Sequence, residues 1–339
     1  MKNEQSNLGF KTMEIKSSKA DVVVLYHSKD LDGYCSGAIA KRYWEKVMGK
    51  TVECIGVDYG DINMDSSLDH TGMTKCTPYR IRRTEELLEV VKDRIVVLTD
   101  MSYDMYRMVK IVENCRRFIW IDHHKTGIEA YNQYIKGNYP DNLPKGKWDV
   151  YHKIGISASE LCWEYFFPLE KIPQVVSLLG MYDTWRDYGT ENWDNFILPF
   201  QYGMRLERAL PDHSLWELNL QGEGAEGWIS YVIDQGHTVL RYQRQQNEAA
   251  CKYTAFETEF AGLRAICMNV GGANATYFNS IWDEEKYDMM IAFCFTGLHW
   301  KYTMFTTKEI DLSIIAKDHG GGGHRQAAGF KSLTNLLTI

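Results

Sequence analysis

The sequence predicts an α/β protein in two parts: a parallel-sheet domain joined by a linker helix to a smaller mixed α/β domain. Three observations support this. Apolar, β-branched runs alternate with helix-like stretches from about Asp21 to Trp185. A polar, helix-like stretch from Val239 to Lys252 follows. Beyond it, starting near Phe256, strand-like runs recur around a single short helix. The boundaries drawn are a polar tail over 1–20, a first domain over 21–236, a linker helix over 237–254 and a second domain over 255–339.

In chain order, Val22 to Tyr26, Ile95 to Thr99 and Phe118 to Ile121 read as buried strands. After Asp32-Gly33, the residues Ile39, Tyr43 and Val47 share one helical face, and Glu86 to Val91 and Met105 to Val112 also read as helical. Thr126 to Lys153, rich in Asn, Gly, Pro and aromatics, reads as a long loop, and Trp193 to Gly236 shows no clean periodicity. In the second part Leu263 to Val270, Met289 to Phe295 and Tyr302 to Thr307 are strand candidates, with a short helix over Thr276 to Trp282. No internal repeat or low-complexity tract is visible.

Composition narrows the function. At 339 residues, 24% charged and 45% hydrophobic, the chain is an ordinary globular protein. A net charge of −7 argues against gripping a long nucleic-acid duplex, which needs clustered Lys and Arg, but leaves room for a short anionic substrate held by metals. Eight cysteines without a Cys-x-x-Cys pair read as buried free thiols in a reducing cytoplasm. The first twenty residues carry no apolar core of a signal peptide, and no run reaches the length of a membrane span, so a cytoplasmic location is expected. A homodimer is left open.

Four segments carry the chemistry. They are His27-Ser28-Lys29-Asp30-Leu31-Asp32, Asp100 after Val96 to Thr99, Asp122-His123-His124 after an Ile-Trp-Ile strand, and Asp183 after an apolar helical run. Three follow strand candidates, and the carboxyl ends of strands in a parallel sheet face one crevice. The ordinary reading of the first is an Asp-rich turn that caps a helix, and of Asp183 a surface acid at a helix end. Adjacent histidines at the end of a buried strand need partners for their nitrogens. Together the set suits two divalent cations, Mn²⁺ first, with Mg²⁺, Co²⁺ or Zn²⁺ as alternatives. Two metals about 3.5–4 Å apart need a shared carboxylate, and Asp100 is the natural bridge.

A last motif, Gly320-Gly321-Gly322-Gly323-His324-Arg325-Gln326-Ala327-Ala328-Gly329-Phe330, can turn several backbone N–H groups toward one anion. A small-residue helix after it would add its dipole, and His324 and Arg325 stand where they can contact the same phosphate.

In this order the motifs resemble the DHH/DHHA1 phosphoesterases over most of the chain: Asp122-His123-His124 is similar to the triplet that names the family, and GGGGHRQAAGF to its substrate-domain signature. The resemblance implies one metal on His27, Asp30 and Asp100 and a second on Asp32, Asp100, His123 and Asp183. It implies a catalytic set of Asp100, Asp122 and His124, with His124 approaching the scissile phosphate. Gly320, Gly321, Gly322, Gly323, His324 and Arg325 would bind the substrate's other phosphate across an interdomain cleft. Two features depart from the family pattern: Phe305 stands where many members carry an Arg, and His27 and Asp30 are three residues apart where one branch often has four. The implied activity is a metal-dependent phosphodiesterase that releases mononucleotides from short oligonucleotides. Cyclic dinucleotides, 3′-phosphoadenosine 5′-phosphate and polyphosphate are alternative substrates. A nucleotide-binding protein that hydrolyses nothing is the alternative from another class.

Overall fold

The computed structural model describes residues 20–58, 84–137, 146–207, 209–221 and 225–337. The chain divides into two compact units, Met1–His237 and Thr238–Ile339.

The first unit holds five strands, β1 (Val22–His27), β2 (Val52–Val57), β3 (Ile95–Thr99), β4 (Arg117–Asp122) and β5 (Trp148–His152), in the order β2-β1-β3-β4-β5. Every pairing is parallel. The inner strands are apolar on both sides because helices cover both faces. Val22, Val24, Val97, Ile119 and Ile121 face one core, with helices α1 (Leu31–Arg42), α5 (Ala158–Phe166) and α6 (Gln174–Asp183). Val23, Leu25, Val96, Leu98, Phe118 and Trp120 face the other, with α2 (Thr84–Val91) and α3 (Met105–Asn114). Strand order reverses at β1, which puts the ligand crevice of such a sheet at the carboxyl ends of β1 and β3.

Several expectations need correction. The supposed loop over 126–153 contains helix α4 (Lys125–Lys136) and strand β5, and residues 138–145 of it lie outside the described residues. Its partly or fully buried positions, Gly127, Ile128, Tyr131, Tyr134 and Ile135, do recur at helical spacing, but among too many polar residues to stand out. Edge strands β2 and β5 lack the continuous apolar run of an inner strand. Val47 does not share the buried face of Ile39: a π-helical turn over Tyr43–Val47 shifts the register and leaves it 58% exposed. Within 193–236 the chain forms a π-helical turn at Trp193–Ile197, α7 (Leu198–Met204), α8 (Leu215–Asn219) and the start of α9 (Ala225–Thr254). Thus α9 begins well before the expected Val239, and the division into units falls within it.

The second unit carries a six-stranded mixed sheet of β6 (Ala255–Phe260), β7 (Leu263–Asn269), β8 (Met289–Phe295), β9 (Trp300–Phe305), β10 (Gly322–His324) and β11 (Ala327–Ser332), ordered β10-β11-β9-β8-β7-β6. Only β7 and β8 pair in parallel. A single 3₁₀ turn at Ala275–Phe278 replaces the expected helix over 276–282. The helix expected after the glycines is strand β11, whose Ala328 and Phe330 point inward while Ala327 and Lys331 stay exposed, a period of two. The helix of this region, α10 (Leu312–Asp318), precedes the glycines instead. The cysteines among the described residues are free, with Cys54 and Cys294 half-buried rather than buried. Among the described residues no helix is long and apolar enough to cross a membrane.

Candidate metal centre

The site is assembled at the carboxyl ends of β1, β3 and β4. After His27 the chain turns sharply into α1, and Gly33 permits it: a Cβ there would lie 2.0 Å from the carbonyl oxygen of His27. Asp30 caps α1 by accepting from the Gly33 N–H at 2.9 Å with Oδ1, while its Oδ2 lies 3.1 Å from His27 Nδ1. The helix cap and the metal ligand are therefore compatible in one side chain. Asp32, in the first turn of α1, is buried against the start of α5, accepting from the N–H groups of Ala158 at 2.8 Å and Ser159 at 3.0 Å and from the Ser159 hydroxyl. It reaches toward a cation only with its remaining lone pairs.

Asp100, 1% exposed, occupies the left-handed region with φ of 61°, a conformation that Asp tolerates better than most side chains. Its N–H donates to the Ile121 carbonyl at 3.0 Å, carrying the β3–β4 ladder one residue further and fixing the turn. The consequence is that its two oxygens face different histidines: Oδ2 lies 3.4 Å from His27 Nδ1 and Oδ1 3.3 Å from His123 Nε2. His123 Nε2 lies 3.4 Å from Oδ2 of Asp183, the last residue of α6. Three sets bring their ligand atoms within 4.8 Å of one another: His27 with Asp30 and Asp100, Asp32 with His123 and Asp183, and Asp100 with His123 and His124.

These residues fit divalent cations. Among the described residues, the buried Oδ2 atoms of Asp100 and Asp183 have no hydrogen-bond partner, though each lies near an imidazole nitrogen; they converge as ligands do. Burial, then the Asp32 carboxylate, pushes the Asp100 pKa well up; burial, with Asp32 and Asp100, pushes Asp183 up to about 8. Burial alone would lower the His27 pKa, but the adjacent Asp100 and Asp30 carboxylates outweigh it and lift the group to about 10. Such crowding of buried acids is relieved by bound cations.

The triplet divides its work. His123 points into the cluster, whereas His124 Nδ1 lies 2.8 Å from Asp122 Oδ1, which also accepts from the backbone N–H groups of His123 at 2.8 Å and His124 at 3.1 Å. Asp122 is fully buried and belongs to none of the three ligand sets. Its hydrogen bonds run to the backbone of both histidines and to the His124 ring. Burial works against charge on His124, but Asp122 more than offsets it and raises the pKa.

Sequence reading missed other members of the neighbourhood. Asp58, just past β2, has Oδ1 3.9 Å from His27 Nε2 and Oδ2 2.7 Å from Lys29 Nζ. His152 ends β5 beside Asp122, and burial lowers its pKa to about 4, so it stays neutral. Ser159, which holds Asp32, lies within the helix cap that opens α5. The available signal was position: each of Asp58 and His152 closes a strand as His27 does.

The glycine motif serves its own fold more than the sequence suggests. Gly320, with φ of 74°, ends α10: its N–H donates to Lys317 O at 2.9 Å and that of Gly321 to Ala316 O at 2.7 Å. Gly322 and Gly323 pair with Gly329 and Ala328 in a hairpin. Two of the four N–H groups thus terminate a helix rather than cradle an anion. Arg325 is turned to Glu309, with Nη2 2.9 Å from its carboxylate. His324 lies in β10, and its side chain is outside the described residues. Phe305 is a core residue of β9. Lys301 and Lys331, direct cross-strand partners, border an open depression with Thr303 and Gly320 to Gly322.

Comparison with known proteins follows this geometry. The DHH domain of a member of the S1p family of ribosomal proteins superposes with a TM-score of 0.54 at 11% identity, covering 91% of this chain and 82% of that one. An exopolyphosphatase-related protein from Bacteroides fragilis gives 0.51 at 13% identity, covering 95% and 89%. The chain has the fold of the DHH-domain proteins. No family model matches the sequence. An uncharacterized protein of Acanthamoeba polyphaga mimivirus is 27% identical over an alignment of 325 positions that covers 91% of this chain. The chain spans 66% of that relative's length.

Proposed function

We propose that the chain is a phosphodiesterase dependent on two divalent cations, Mn²⁺ before Mg²⁺ or Co²⁺, that hydrolyses short oligonucleotides to mononucleotides. The observation that carries this reading is Asp100, a buried carboxylate on a left-handed residue that offers one oxygen to each of two ligand sets. His27, Asp30 and Asp100 would hold one cation; Asp32, His123, Asp183 and Asp100 the other. When bound, such cations acidify a water to provide the nucleophile and offset charge on the phosphoryl oxygens. Asp122 fixes the His124 ring through Nδ1 and favours its protonated form, so the imidazolium can donate to a phosphoryl oxygen as charge builds there. Asp32, tied to α5, keeps its side of the cluster rigid. Within the second unit, the paired Lys301 and Lys331 beside the glycine run offer positive charge suited to an anion. Polyphosphate hydrolysis is a second reading, in keeping with the likeness to the exopolyphosphatase-related protein from Bacteroides fragilis.

The test is a hydrolysis panel with and without Mn²⁺ on di- to pentanucleotides, cyclic dinucleotides, 3′-phosphoadenosine 5′-phosphate and polyphosphate. Mn²⁺-dependent release of mononucleotides, fastest from the short oligonucleotides, is expected. Cleavage of polyphosphate alone would favour the second reading, and binding without any hydrolysis would make the chain a nucleotide-binding protein.

A further inference from the structure

Directly after Asp183 the chain makes a turn lined by aromatic rings. Trp185 and Tyr188 are each 63% exposed, with ring centroids 4.9 Å apart. Trp185 lies within 19° of parallel to Trp193 at 5.8 Å, and Trp193, 4% exposed, lies within 11° of parallel to Tyr182 at 5.5 Å. Tyr188 meets Trp193 edge-on at 5.2 Å. A buried indole thus backs two exposed rings.

The backbone of this turn is held against its own preferences. Trp185 and Asp187 both take positive φ, 56° and 62°, and a bulky side chain there is strained. Neighbours enforce it. The Trp185 N–H donates to Tyr182 O at 3.2 Å and that of Arg186 to Met181 O at 2.9 Å. Arg186 Nε donates to Thr184 Oγ1 at 2.9 Å, and its guanidinium binds Glu160. Glu160 belongs to the capping box of α5, the helix start that also holds Asp32. The turn and the acid cluster are therefore anchored on one helix end. An indole left largely in water on a strained residue adds little to the hydrophobic core.

We infer that Trp185 and Tyr188 form a stacking platform for the base of the nucleotide whose phosphate lies at the acid cluster. The inference rests on the phosphodiesterase reading for the position of that phosphate. Trp185 is two residues from Asp183, so their Cα atoms are at most about 7 Å apart, the scale that separates a nucleotide's phosphate from its own base. Trp185, stacked on Trp193 behind it, would take the face of a base, and Tyr188, inclined at 59° to Trp185, would meet its edge; such stacking accepts any flat base, which suits an enzyme that does not read sequence.

The Mn²⁺-loaded full chain is titrated with AMP and with ribose 5-phosphate, following tryptophan fluorescence. The wild type should prefer AMP by roughly tenfold or more, the usual size of one base stack. Trp185→Ala should erase that preference and leave ribose 5-phosphate binding and Mn²⁺ affinity as they were, and Trp185→Phe should keep most of it. An AMP preference unchanged in Trp185→Ala, or absent from the wild type, overturns the platform. So does a dimer that Trp185→Ala splits without touching the preference, because the rings would then serve a second copy of the chain. Hydrolysis of a dinucleotide and of its abasic analogue separates this inference from the reading beneath it. A Trp185-dependent AMP preference with neither compound cleaved keeps the platform and removes the phosphodiesterase. Equal cleavage of both, with or without Trp185, keeps the phosphodiesterase and removes the platform.

Discussion

The acid cluster of the first unit and the glycine run of the second are both conspicuous in sequence, yet their local chemistry differs. At the ends of β1, β3 and β4, buried carboxylates crowd one another: Asp100 and Asp183 each keep an oxygen without a hydrogen-bond partner among the described residues, and burial drives both pKa values up. In the glycine run, Gly320 and Gly321 spend their N–H groups ending α10, Gly322 and Gly323 lie in a hairpin, and Arg325 binds Glu309. One region needs something from outside to balance it, and the other is largely balanced by its own backbone. Unsatisfied buried groups point to a ligand more strongly than a suggestive string of residue types does.

The largest effect is expected from Asp100→Asn. Asn also tolerates the left-handed backbone, so the turn survives while the shared charge is lost. Hydrolysis should fall by at least ~100-fold, and the rise in melting temperature that Mn²⁺ gives the wild type should disappear. Without metal the variant should melt no lower than the wild type, since a crowded buried acid is gone. A metal-dependent rise that persists would remove Asp100 from the bridge.

His124→Ala asks whether the triplet is divided as its geometry indicates. Turnover should fall by ~10²–10³-fold, the usual range for a lost group that stabilises transition-state charge, with Mn²⁺ stoichiometry kept. Asp122→Asn should lose less, ~10-fold, because His124 remains but is less firmly held. Calorimetric loss of one Mn²⁺ in His124→Ala would instead assign His124 to the ligand set that it forms with Asp100 and His123.

What the sequence disclosed follows from the same physics. Inner strands β1, β3 and β4 are legible because burial on both faces forces continuous apolar runs, and the acids at their ends stand out against those runs. Edge strands β2 and β5 face partial burial, so Asp58 and His152 at their ends went unnoticed. The anchoring of Asp32 by Ala158 and Ser159 joins residues 126 and 127 positions apart, and no local pattern announces it. The helix expected after the glycines was misplaced, because glycines end a helix as readily as they precede one, and α10 lies before them.

Charge crowding also sets a pH dependence. Burial beside Asp32 and Asp100 pushes the Asp183 pKa up to about 8, and the Asp100 and Asp30 carboxylates outweigh burial to lift that of His27 to about 10, so at pH 7 both groups favour the protonated form. A raised value makes the folded state bind more protons than the unfolded one. These groups therefore add stability at low pH and lose it as pH rises, from about 4 to 8 for Asp183 and from about 6.5 to 10 for His27. Mn²⁺ must displace those protons, so apparent affinity should tighten by about tenfold per pH unit for each proton released between pH 6.5 and 7.5. Calorimetry in two buffers of different ionisation enthalpy counts them. Binding that releases no protons would mean that Mn²⁺ sits elsewhere.

The smallest effects should come from the glycine region, and they bear directly on the contrast between the two sites. In Gly321→Ala the new Cβ would lie 2.2 Å from the Gly329 carbonyl oxygen, so the cost is structural: ~1–3 kcal/mol of stability, with Mn²⁺ binding intact. Arg325→Ala removes a solvent-exposed ion pair with Glu309, worth ~0–1 kcal/mol, and an exposed hydrogen bond to the Glu309 carbonyl oxygen at 3.2 Å. Melting temperature and the KM for a dinucleotide should both stay close to wild type. If KM rises tenfold while stability holds, Arg325 leaves Glu309 for a substrate phosphate during turnover. The glycine region would then be a binding site whose groups are held in reserve by internal partners, and self-satisfaction in the metal-free, substrate-free fold would no longer distinguish it from the acid cluster.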